Sequence, residues 1–466
     1  MPARGRASRR KMMQVWVHID LKGLPVSPEY LSARFRDFRA VGTTHILLEW
    51  EDMLPWSGDL AVLTRPHAFS AAEVESVLSA AELLGLVVVP LLQTLGHLEF
   101  VLKHERFAAL REDPDDYGTL CPCSDDVPTV IEALLAQVFT LHPRCEQIHI
   151  GCDEPALGID ARTAEAIAVD AHGLSGVLVS HIERTVRQVS AHGRSCLIWH
   201  DAAVEMPKAC FARLLATGAK LVVWDYRPEL DDSTVRFAGQ LTCQWSASPL
   251  VATAFKGGDC AEAVAVDVVA RIANQKAWAE FIGGDVSCRS FVSGVVITGW
   301  SRFGHTMPLT EMLPAAMPTL LSTLGCWGDG TETKAKEAME RWRREDRVGA
   351  ELHDEVIVVA ELRERISTLE TQWRQQTSRL APPPRLIKSV LNALAGPEGA
   401  VTCLQGRGKR LAELMAGGGI FRHDTEEWHM TKVEECIVRA TRLRDQAIVE
   451  RERLDQTERE VQRSSR

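Results

Sequence analysis

The sequence lacks an excess of basic charge, and it also lacks any long apolar run. Lys and Arg together number 53 against 63 Asp and Glu, which gives a formal net charge of −10. Because nucleic-acid affinity comes largely from neutralising phosphates, we expect no nucleic-acid partner. A membrane-spanning helix needs about 18 or more consecutive apolar residues. None occurs, so the sequence predicts no membrane partner.

A cysteine framework is absent as well, although the chain has 12 cysteines. No Cys-x-x-Cys pattern occurs, and the closest pair is Cys121 and Cys123. This usage is typical of free, buried thiols in a reducing compartment, which predicts a cytoplasmic protein. Residues 1–12 are basic, and we interpret them as a solvated, disordered tail, with a nuclear-import signal as the alternative.

Short apolar runs rich in β-branched residues recur through the first two-thirds of the chain. They stay apolar without alternation, which is typical of strands buried on both faces. Helical patterns lie between most of them, one beginning at Ser27 and Pro28 and another at a capping box of Ser70 and Glu73. The predicted strands are 14–20, 44–50, 86–92, 147–152, 195–200, 220–225, one within 240–256, and 293–300.

This alternation of strand and helix, repeated about eight times, predicts an α/β fold, the (β/α)8 TIM barrel. A doubly wound open sheet is the alternative, but no Gly-rich phosphate loop follows an early strand. After the barrel, segments 334–376 and 426–463 are charged and helical, separated by a loop-like stretch with prolines 382–384 and glycines 417–419. The sequence therefore predicts a tail (1–12), a barrel (13–330) and a helical C-terminal domain (331–466).

Side chains suited to binding a sugar stand at most of the predicted strand ends, where a barrel of this type builds its site. Carboxylates and histidines bind hydroxyl groups, and tryptophan rings stack on the apolar faces of sugar rings. The chain has 12 Trp against only 3 Tyr, so this aromatic supply is unusual. The residues at or just beyond strand ends include Asp20, Trp50, Asp52, Trp56, His97, His149, Trp199, Asp201, Trp224, Tyr226, Trp300 and Arg302.

Asp153 and Glu154 are the sharpest element of this set. Two adjacent carboxylates repel each other, which predicts a raised pKa for at least one of them and suits it to general-acid work. Ordinary glycosidases need two carboxyl groups on opposite sides of the scissile bond, about 5 Å or about 7–9 Å apart, which neighbouring residues do not easily provide. The pair fits better with substrate-assisted hydrolysis, in which the 2-acetamido group of the sugar attacks the anomeric carbon.

Six runs of the sequence resemble the family 20 glycoside hydrolases, which are β-N-acetylhexosaminidases on a (β/α)8 barrel, and in particular a cytosolic branch of that family. The signature resides in His149-x-Gly151-x-Asp153-Glu154. The runs are HIDLKG (18–23), EDM (51–53), QTLGHLEFVLKH (93–104), HIGCDE (149–154), AFKG (254–257) and TGW (298–300). Together they cover the barrel, from about residue 14 to 325, whereas the C-terminal region carries no motif of its own.

The resemblance implies that Glu154 is the general acid and base and that Asp153 orients the acetamido group. It implies an acetamido-sugar pocket walled by Trp224, Trp300 and Trp199, with Tyr226 donating its hydroxyl to the acetamido oxygen. His97 and His149 match histidines of the family, and Asp20, Asp52, Asp201 and Arg302 are further candidates for binding hydroxyl groups. The expected partner is an N-acetylhexosamine-containing glycan, and neither metal nor cofactor is expected. Both galacto and gluco preference remain as alternatives, as do a monomer and a homo-oligomer.

Two departures from the family pattern bear on the site. Cys152 stands where the broad family has glycine, a change that the cytosolic branch tolerates. The arginine that usually follows the first strand is absent, and Lys22 and Gly23 lie near its place. Since lysine is a point charge and not a planar fork, we expect looser discrimination between sugars.

Other functions remain as alternatives. A metal site at His149, Asp153 and Glu154, or at His200 and Asp201, matches no strong ligand spacing. A serine hydrolase is disfavoured because no Gly-x-Ser-x-Gly follows a strand. A catalytically silent barrel that only binds glycans or serves as a scaffold is the main alternative, and the intact Asp153–Glu154 pair argues against it.

Overall fold

The computed structural model describes residues 13–284, 291–328, 330–377, 382–396, 398–417, 420 and 422–464, so the predicted tail 1–12 lies outside the described residues. Eight parallel strands close into a barrel in sequence order, with β1 paired to both β2 and β8. The (β/α)8 prediction is therefore confirmed. The strands are β1 (Gln14–Asp20), β2 (His45–Glu49), β3 (Val87–Leu91), β4 (Gln147–His149), β5 (Ser195–Trp199), β6 (Lys220–Trp224), β7 (Leu250–Lys256) and β8 (Gly294–Gly299).

Burial on both faces explains why these strands are apolar without alternation. One set of side chains points into the barrel and forms a small inner core that includes Trp16, Leu47 and Val222. The other set packs against the surrounding helices in a much larger outer core. Apart from the exposed first residues of β3 and β5, the strands are thus largely removed from water on both faces, as expected for a parallel sheet covered by helices.

The helices begin where the sequence supplies capping groups. Ser27 accepts a hydrogen bond from the backbone of Tyr30, and Ser70 and Glu73 form the predicted capping box. The barrel-region helices are α1 (Pro28–Ala40), α2 (Ala71–Leu83), α3 (Glu99–Leu102), α4 (Val127–Leu141), α5 (Ala161–Val169), α6 (Leu174–Ala191), α7 (Lys208–Ala216), α8 (Asp232–Cys243), α9 (Val268–Gly283) and α10 (Leu313–Leu324).

The C-terminal region is helical, as predicted, but the loop expected between its two charged segments is wrong. Two helices occupy that stretch, because Pro384 takes the first-turn position and Leu386, Val390 and Leu394 are buried along one helical face. The C-terminal helices are α11 (Glu332–Glu345), α12 (Arg347–Thr377), α13 (Pro384–Leu394), α14 (Ala400–Gly417), α15 (Arg422–His429) and α16 (Glu435–Ser464).

The C-terminal helices pack on the barrel rather than standing apart from it. Trp342 of α11 is fully buried, and its neighbour Arg341 lies 3.0 Å from Asp37 of α1. Buried residues of the barrel and of the C-terminal helices belong to one continuous apolar cluster. The domain boundary at residue 330 stays a prediction based on the change in composition there, since the apolar packing is continuous between the two parts.

Two further features of the described residues are the hydrophobicity of the helices and the state of the cysteines. No helix there is long and apolar enough to cross a membrane. Ten cysteines are free, among them Cys121 and Cys123, as expected. Cys243, in contrast, is disulfide-bonded, which departs from the expectation of free thiols.

Candidate active site

A cavity of about 220 Å³ opens at the carboxyl ends of the barrel strands, the face where barrels of this type place their chemistry. It collects side chains from loops that are far apart in sequence, and five of its thirteen lining residues are tryptophan, tyrosine or phenylalanine. Its lining residues are Lys22, Gln93, His97, Asp153, Glu154, Trp199, Trp224, Tyr226, Gly257, Gly258, Trp300, Arg302 and Phe303.

The segment after β4 places Asp153 and Glu154 in this cavity. The strand ends at His149, three residues earlier than predicted, because the backbone turns at Gly151 with φ +65°. A side chain at Gly151 would lie 1.6 Å from Gln93 Oε1, so Gln93 would have to shift, and the positive φ also favours glycine here. As a result, the Asp153 side chain is buried, while that of Glu154 is 59% exposed at the cavity mouth.

His97 links the two carboxyl groups. Its Nε2 lies 3.3 Å from Glu154 Oε2 and 3.6 Å from Asp153 Oδ2. Burial alone would lower the pKa of His97, but Asp153 and the bond to Glu154 outweigh it and raise the pKa to about 10. The imidazole is therefore a cation at neutral pH, placed against both carboxylates.

The two carboxyl groups differ in acidity, as expected for a pair that works in acid–base chemistry. Burial raises the pKa of Asp153 to about 7, assisted by nearby Asp201 and opposed by His97. The hydrogen bond from His97 instead lowers the pKa of Glu154. The predicted raised pKa is thus present on Asp153, and its cause is burial rather than repulsion by Glu154.

Asp201, at the end of β5, holds the loop from behind. Its carboxylate accepts hydrogen bonds from the Glu154 backbone at 2.7 Å and from Trp224 Nε1 at 3.1 Å. Burial raises the pKa of Asp201. Asp201 therefore ties the segment after β4 to the aromatic wall instead of lining the cavity itself.

Aromatic rings form the walls that the sequence predicts. Trp199 and Trp300 lie with ring centres 5.9 Å apart, and Trp224 stacks on Tyr226 at 5.5 Å. Beneath them His149 contacts the Trp199 ring at 4.2 Å. His149 is completely buried and accepts a hydrogen bond from Gly151, and burial lowers its pKa to about 3, so it is a neutral support below the cavity.

A buried ionic cluster lies under the cavity floor. Lys22 Nζ lies 3.2 Å from Asp20, 3.3 Å from Glu49 and 3.5 Å from Glu51, and it sits 5.2 Å from the Trp300 ring centre. Asp20 and Glu49 are neighbours across β1 and β2, which explains how one lysine reaches both. Of these residues, Lys22 lines the cavity, whereas Asp20 lies beneath the cavity and contacts Lys22.

Asp52 is also brought near the site without lining it. It accepts a hydrogen bond from Lys103 at 3.1 Å, and His305 lies 3.8 Å away. Trp50 and Trp56, which follow the same strand, are buried in the core, where Trp50 donates to His142 and Trp56 donates to the Glu51 carbonyl. The tryptophans near the end of β2 therefore do not contribute to the sugar-binding wall.

Five lining residues were not among the sequence-predicted site residues. Three belong to the motif runs, which are a usable signal: Lys22 is in the first run, Gly257 is in the fifth, and Gln93 starts the third. The buried Oε1 of Gln93 has no hydrogen-bond partner in the protein. Lys22 is also the position at which the sequence departs from the family pattern. Gly258 and Phe303 carried no signal, because loop geometry alone brings them to the cavity. The five are Lys22, Gln93, Gly257, Gly258 and Phe303.

Within the described residues, no three histidine, cysteine, aspartate or glutamate side chains are arranged to hold a metal ion. The fold and the cavity define a (β/α)8 barrel whose site combines paired carboxylates with an aromatic wall. A family model for the glycosyl hydrolase family 20 catalytic domain matches residues 61–238. The chain is 34% identical to human Hexosaminidase D over 321 residues, and 34% identical to bovine Hexosaminidase D over 315 residues.

These alignments cover 66% and 65% of this chain, 64% of the human protein and 89% of the bovine protein. The chain belongs to glycosyl hydrolase family 20. The resemblance inferred from the sequence runs is thereby confirmed. A β-N-acetylhexosaminidase from Bacteroides fragilis has the same fold, with a TM-score of 0.51 at 14% identity over 68% of this chain and 66% of that one. A chitobiase from Flavobacterium johnsoniae gives 0.53 at 11% identity over 94% of this chain and 71% of that one.

Proposed function

We propose that the protein is a retaining β-N-acetylhexosaminidase that removes terminal, non-reducing N-acetylgalactosamine or N-acetylglucosamine from glycosides by substrate-assisted catalysis. The observation that carries this proposal is the placement of Asp153 and Glu154 on one loop, both within 3.6 Å of His97. Neighbours on one loop cannot flank a glycosidic bond as an ordinary acid and nucleophile pair must. They can instead contact two groups of one acetamido sugar, the leaving glycosidic oxygen and the acetamido N–H.

In the first step Glu154 donates its proton to the leaving glycosidic oxygen. The acetamido carbonyl oxygen forms a bond to the anomeric carbon as the bond to the leaving group breaks. Asp153 accepts the hydrogen bond of the acetamido N–H and stabilises the positive charge that develops there. In the second step Glu154 takes a proton from water, and the water oxygen attacks the anomeric carbon from the face that the leaving group occupied. The bond between the acetamido oxygen and the anomeric carbon breaks, so the configuration at that carbon is retained.

The pKa of Glu154 is lowered in the free protein, whereas a general acid must carry a proton. Substrate binding raises the pKa of Glu154, because a sugar in the cavity buries the exposed carboxyl group and burial favours its neutral form. The proton held near Asp153 in the free protein is then available to the pair. We assign the reactive form to the singly protonated pair and not to either residue alone.

The remaining predicted residues divide by position. Trp199, Trp224, Tyr226, Trp300 and Arg302 line the cavity and are assigned to substrate contact. His149, Asp201, Asp20 and Asp52 lie behind lining residues, and we assign them to positioning Trp199, the reacting loop, Lys22 and Lys103 respectively. Their direct contact with substrate stays a prediction.

The test is hydrolysis of p-nitrophenyl N-acetyl-β-galactosaminide and of the matching glucosaminide. We expect Glu154→Gln to lower kcat by about 100-fold to 10,000-fold, the usual contribution of a general acid. Asp153→Asn should lower kcat as well and should weaken binding of a thiazoline mimic of the bridged intermediate. The matched control is Glu165→Gln, because Glu165 is exposed on α5 and does not line the cavity.

Full activity of Glu154→Gln would overturn the assignment of the acid. A wild-type protein that binds the thiazoline but cleaves neither substrate would instead establish the silent glycan-binding barrel. Failure of the thiazoline to inhibit an active enzyme would contradict substrate assistance and leave the hydrolase assignment standing. Comparing kcat/KM for the two epimers gives the galacto or gluco preference.

A further inference from the structure

The loop between β8 and α10 forms one rim of the cavity. It folds back on itself through a bridge between Arg302 and Leu309, and Thr310 donates to the Ser301 carbonyl at 2.9 Å. Arg302 and Phe303, at its start, line the cavity, and Phe303 is 37% exposed. Two cavity contacts therefore depend on how this loop is held.

The Arg302 side chain is almost completely buried, with 9% of the residue exposed, and two of its three nitrogens contact protein groups. Nη2 is paired with Glu427, and Nη1 donates to the His305 carbonyl at 3.2 Å. Nε has no hydrogen-bond partner in the protein. It lies against Gly23, where a side-chain carbon would come within 3.3 Å of it. Since Nε is shielded in this way, the N–H groups that remain for a ligand are the second ones on Nη1 and Nη2, because a guanidinium carries five N–H donors.

Glu427 belongs to α15 of the C-terminal region, and it is not the only contact that α15 makes to the rim. The next residue, the fully buried Trp428, donates from Nε1 to the Thr310 carbonyl at 3.1 Å. Asp424, one turn earlier, lies 2.6 Å from Arg65 in the segment between β2 and α2. Just beyond α15, Lys432 donates to the Ala261 carbonyl after β7 at 2.7 Å.

We propose that α15 is a working part of the sugar site: Glu427 and Trp428 are positioning residues that fix the β8–α10 loop so that the Arg302 guanidinium, which lines the cavity, can bind a hydroxyl of the substrate. The C-terminal helical region, which carries no motif, thereby sets substrate affinity. This inference rests on the proposed hexosaminidase activity. A guanidinium with two nitrogens already held by protein groups loses little freedom when one of its remaining N–H groups binds a ligand, which is the physical benefit of such support.

The experiment measures kcat and KM of the full-length chain on both p-nitrophenyl N-acetylhexosaminides. Glu427→Ala releases the guanidinium, and we expect KM to rise by about tenfold or more while kcat changes by less than about threefold, the signature of lost uniform binding. Arg302→Gln should raise KM by at least as much. The double variant should be no worse than Arg302→Gln alone, because both changes remove the same interaction.

Two further variants control for a general loss of structure. Glu355→Ala removes a comparable ion pair within the C-terminal helices, since Glu355 lies 2.6 Å from Arg407 between α12 and α14, and we expect it to leave KM unchanged. Trp428→Phe keeps an aromatic ring in the core but removes the hydrogen bond to Thr310. We expect it to raise KM in the same direction and by less. It keeps the proposal testable if Glu427→Ala does not fold.

Unchanged KM in Glu427→Ala and Trp428→Phe, with an active wild type, would overturn the inference and leave the proposed function intact. Additive effects of Arg302→Gln and Glu427→Ala would also overturn it, because they would show independent roles. If the wild type cleaves neither substrate, the proposed function fails first. The inference is then decided by calorimetric binding of the thiazoline, where an unchanged Kd in Glu427→Ala overturns it and a tenfold weaker Kd supports it.

Discussion

Positive backbone φ angles at non-glycine residues are concentrated around the cavity. Among the described residues these are Glu51, His97, Cys152, Glu154 and Ser246, and all but Ser246 lie in or beside the site. Such conformations cost of the order of 1–3 kcal/mol each and persist where surrounding structure over-determines them. The strain at His97 and Glu154 is consistent with two side chains held in place for a reaction rather than for stability.

The sequence could identify these residues but not their charge states. The runs containing His97, Asp153 and Glu154 predict that the three residues meet at one end of a barrel. Which carboxyl holds a proton depends on burial and on the 3.3 Å contact from His97 to Glu154, and neither distance nor burial is encoded in residue spacing. For this reason the raised pKa was expected from repulsion, whereas it results from the burial of Asp153.

His97→Gln tests the electrostatic role of the imidazole. Wild-type kcat/KM should follow a bell-shaped pH profile, with the alkaline limb near the pKa of about 7 at Asp153 and the acid limb below the ordinary glutamate pKa, because Glu154 is lowered. Removing a cation disfavours both carboxylates, so both pKa values rise. We therefore expect both limbs to move to higher pH, by about one unit, in kcat/KM measured from about pH 3 to pH 9.

The control for this experiment is His192→Gln. His192 also pairs with a carboxylate, lying 2.7 Å from Glu132, but it does not line the cavity. Its pH profile should match that of the wild type. Identical limbs in wild type and His97→Gln would remove His97 from the acid–base machinery.

At the scale of elements, the sequence predicts the barrel strands well and the loops poorly. Double-sided burial makes a strand visible in sequence, so β1 was found at its observed bounds and most others to within one residue at each end. β4 was predicted too long because the apolar run continues past His149 while the backbone turns at Gly151. The helices α13 and α14 were missed because proline and glycine clusters at their ends resemble loops.

The turn after β3 makes a contact that only glycine permits. A side chain at Gly96 would lie 1.9 Å from the Asp153 carbonyl oxygen. Gly96→Ala must therefore push the reacting loop away, and displacement of about 1 Å in a catalytic group can cost about 100-fold in rate. We expect a loss of that size in kcat/KM with near-native circular dichroism, since the clash is confined to two loops at the barrel mouth.

Gly239→Ala is the matched control for this substitution. Gly239 lies inside α8, and no heavy atom comes within 4 Å of the carbon that alanine would add. Activity should be unchanged, and the free energy of unfolding should rise by up to about 1 kcal/mol because alanine favours the helix. Wild-type kcat/KM in Gly96→Ala would contradict the close contact between the two loops.

At the scale of the whole molecule, the tryptophans show what composition alone could not separate. Trp199, Trp224 and Trp300 line the cavity, as the sequence predicts. The C-terminal tryptophans instead pack into the core, Trp342 and Trp428 completely. The many charged residues of the C-terminal region predict solvated helix faces. The sequence pattern does not show which neighbouring element covers the apolar faces of the same helices, so the burial of these tryptophans could not be predicted.

Because the barrel and the C-terminal helices share one apolar cluster, we expect them to unfold together. Trp342→Ala in the full chain removes a fully buried ring of α11, which should cost about 3–5 kcal/mol. Calorimetry should give one transition in the wild type and one, at lower temperature, in the variant, with the loss of the proposed activity on heating shifted equally. Val449→Ala, at an exposed position of α16, should leave the transition unchanged. Two separate transitions, with activity lost only in the unshifted one, would instead show that the barrel folds independently of the helices that hold Arg302.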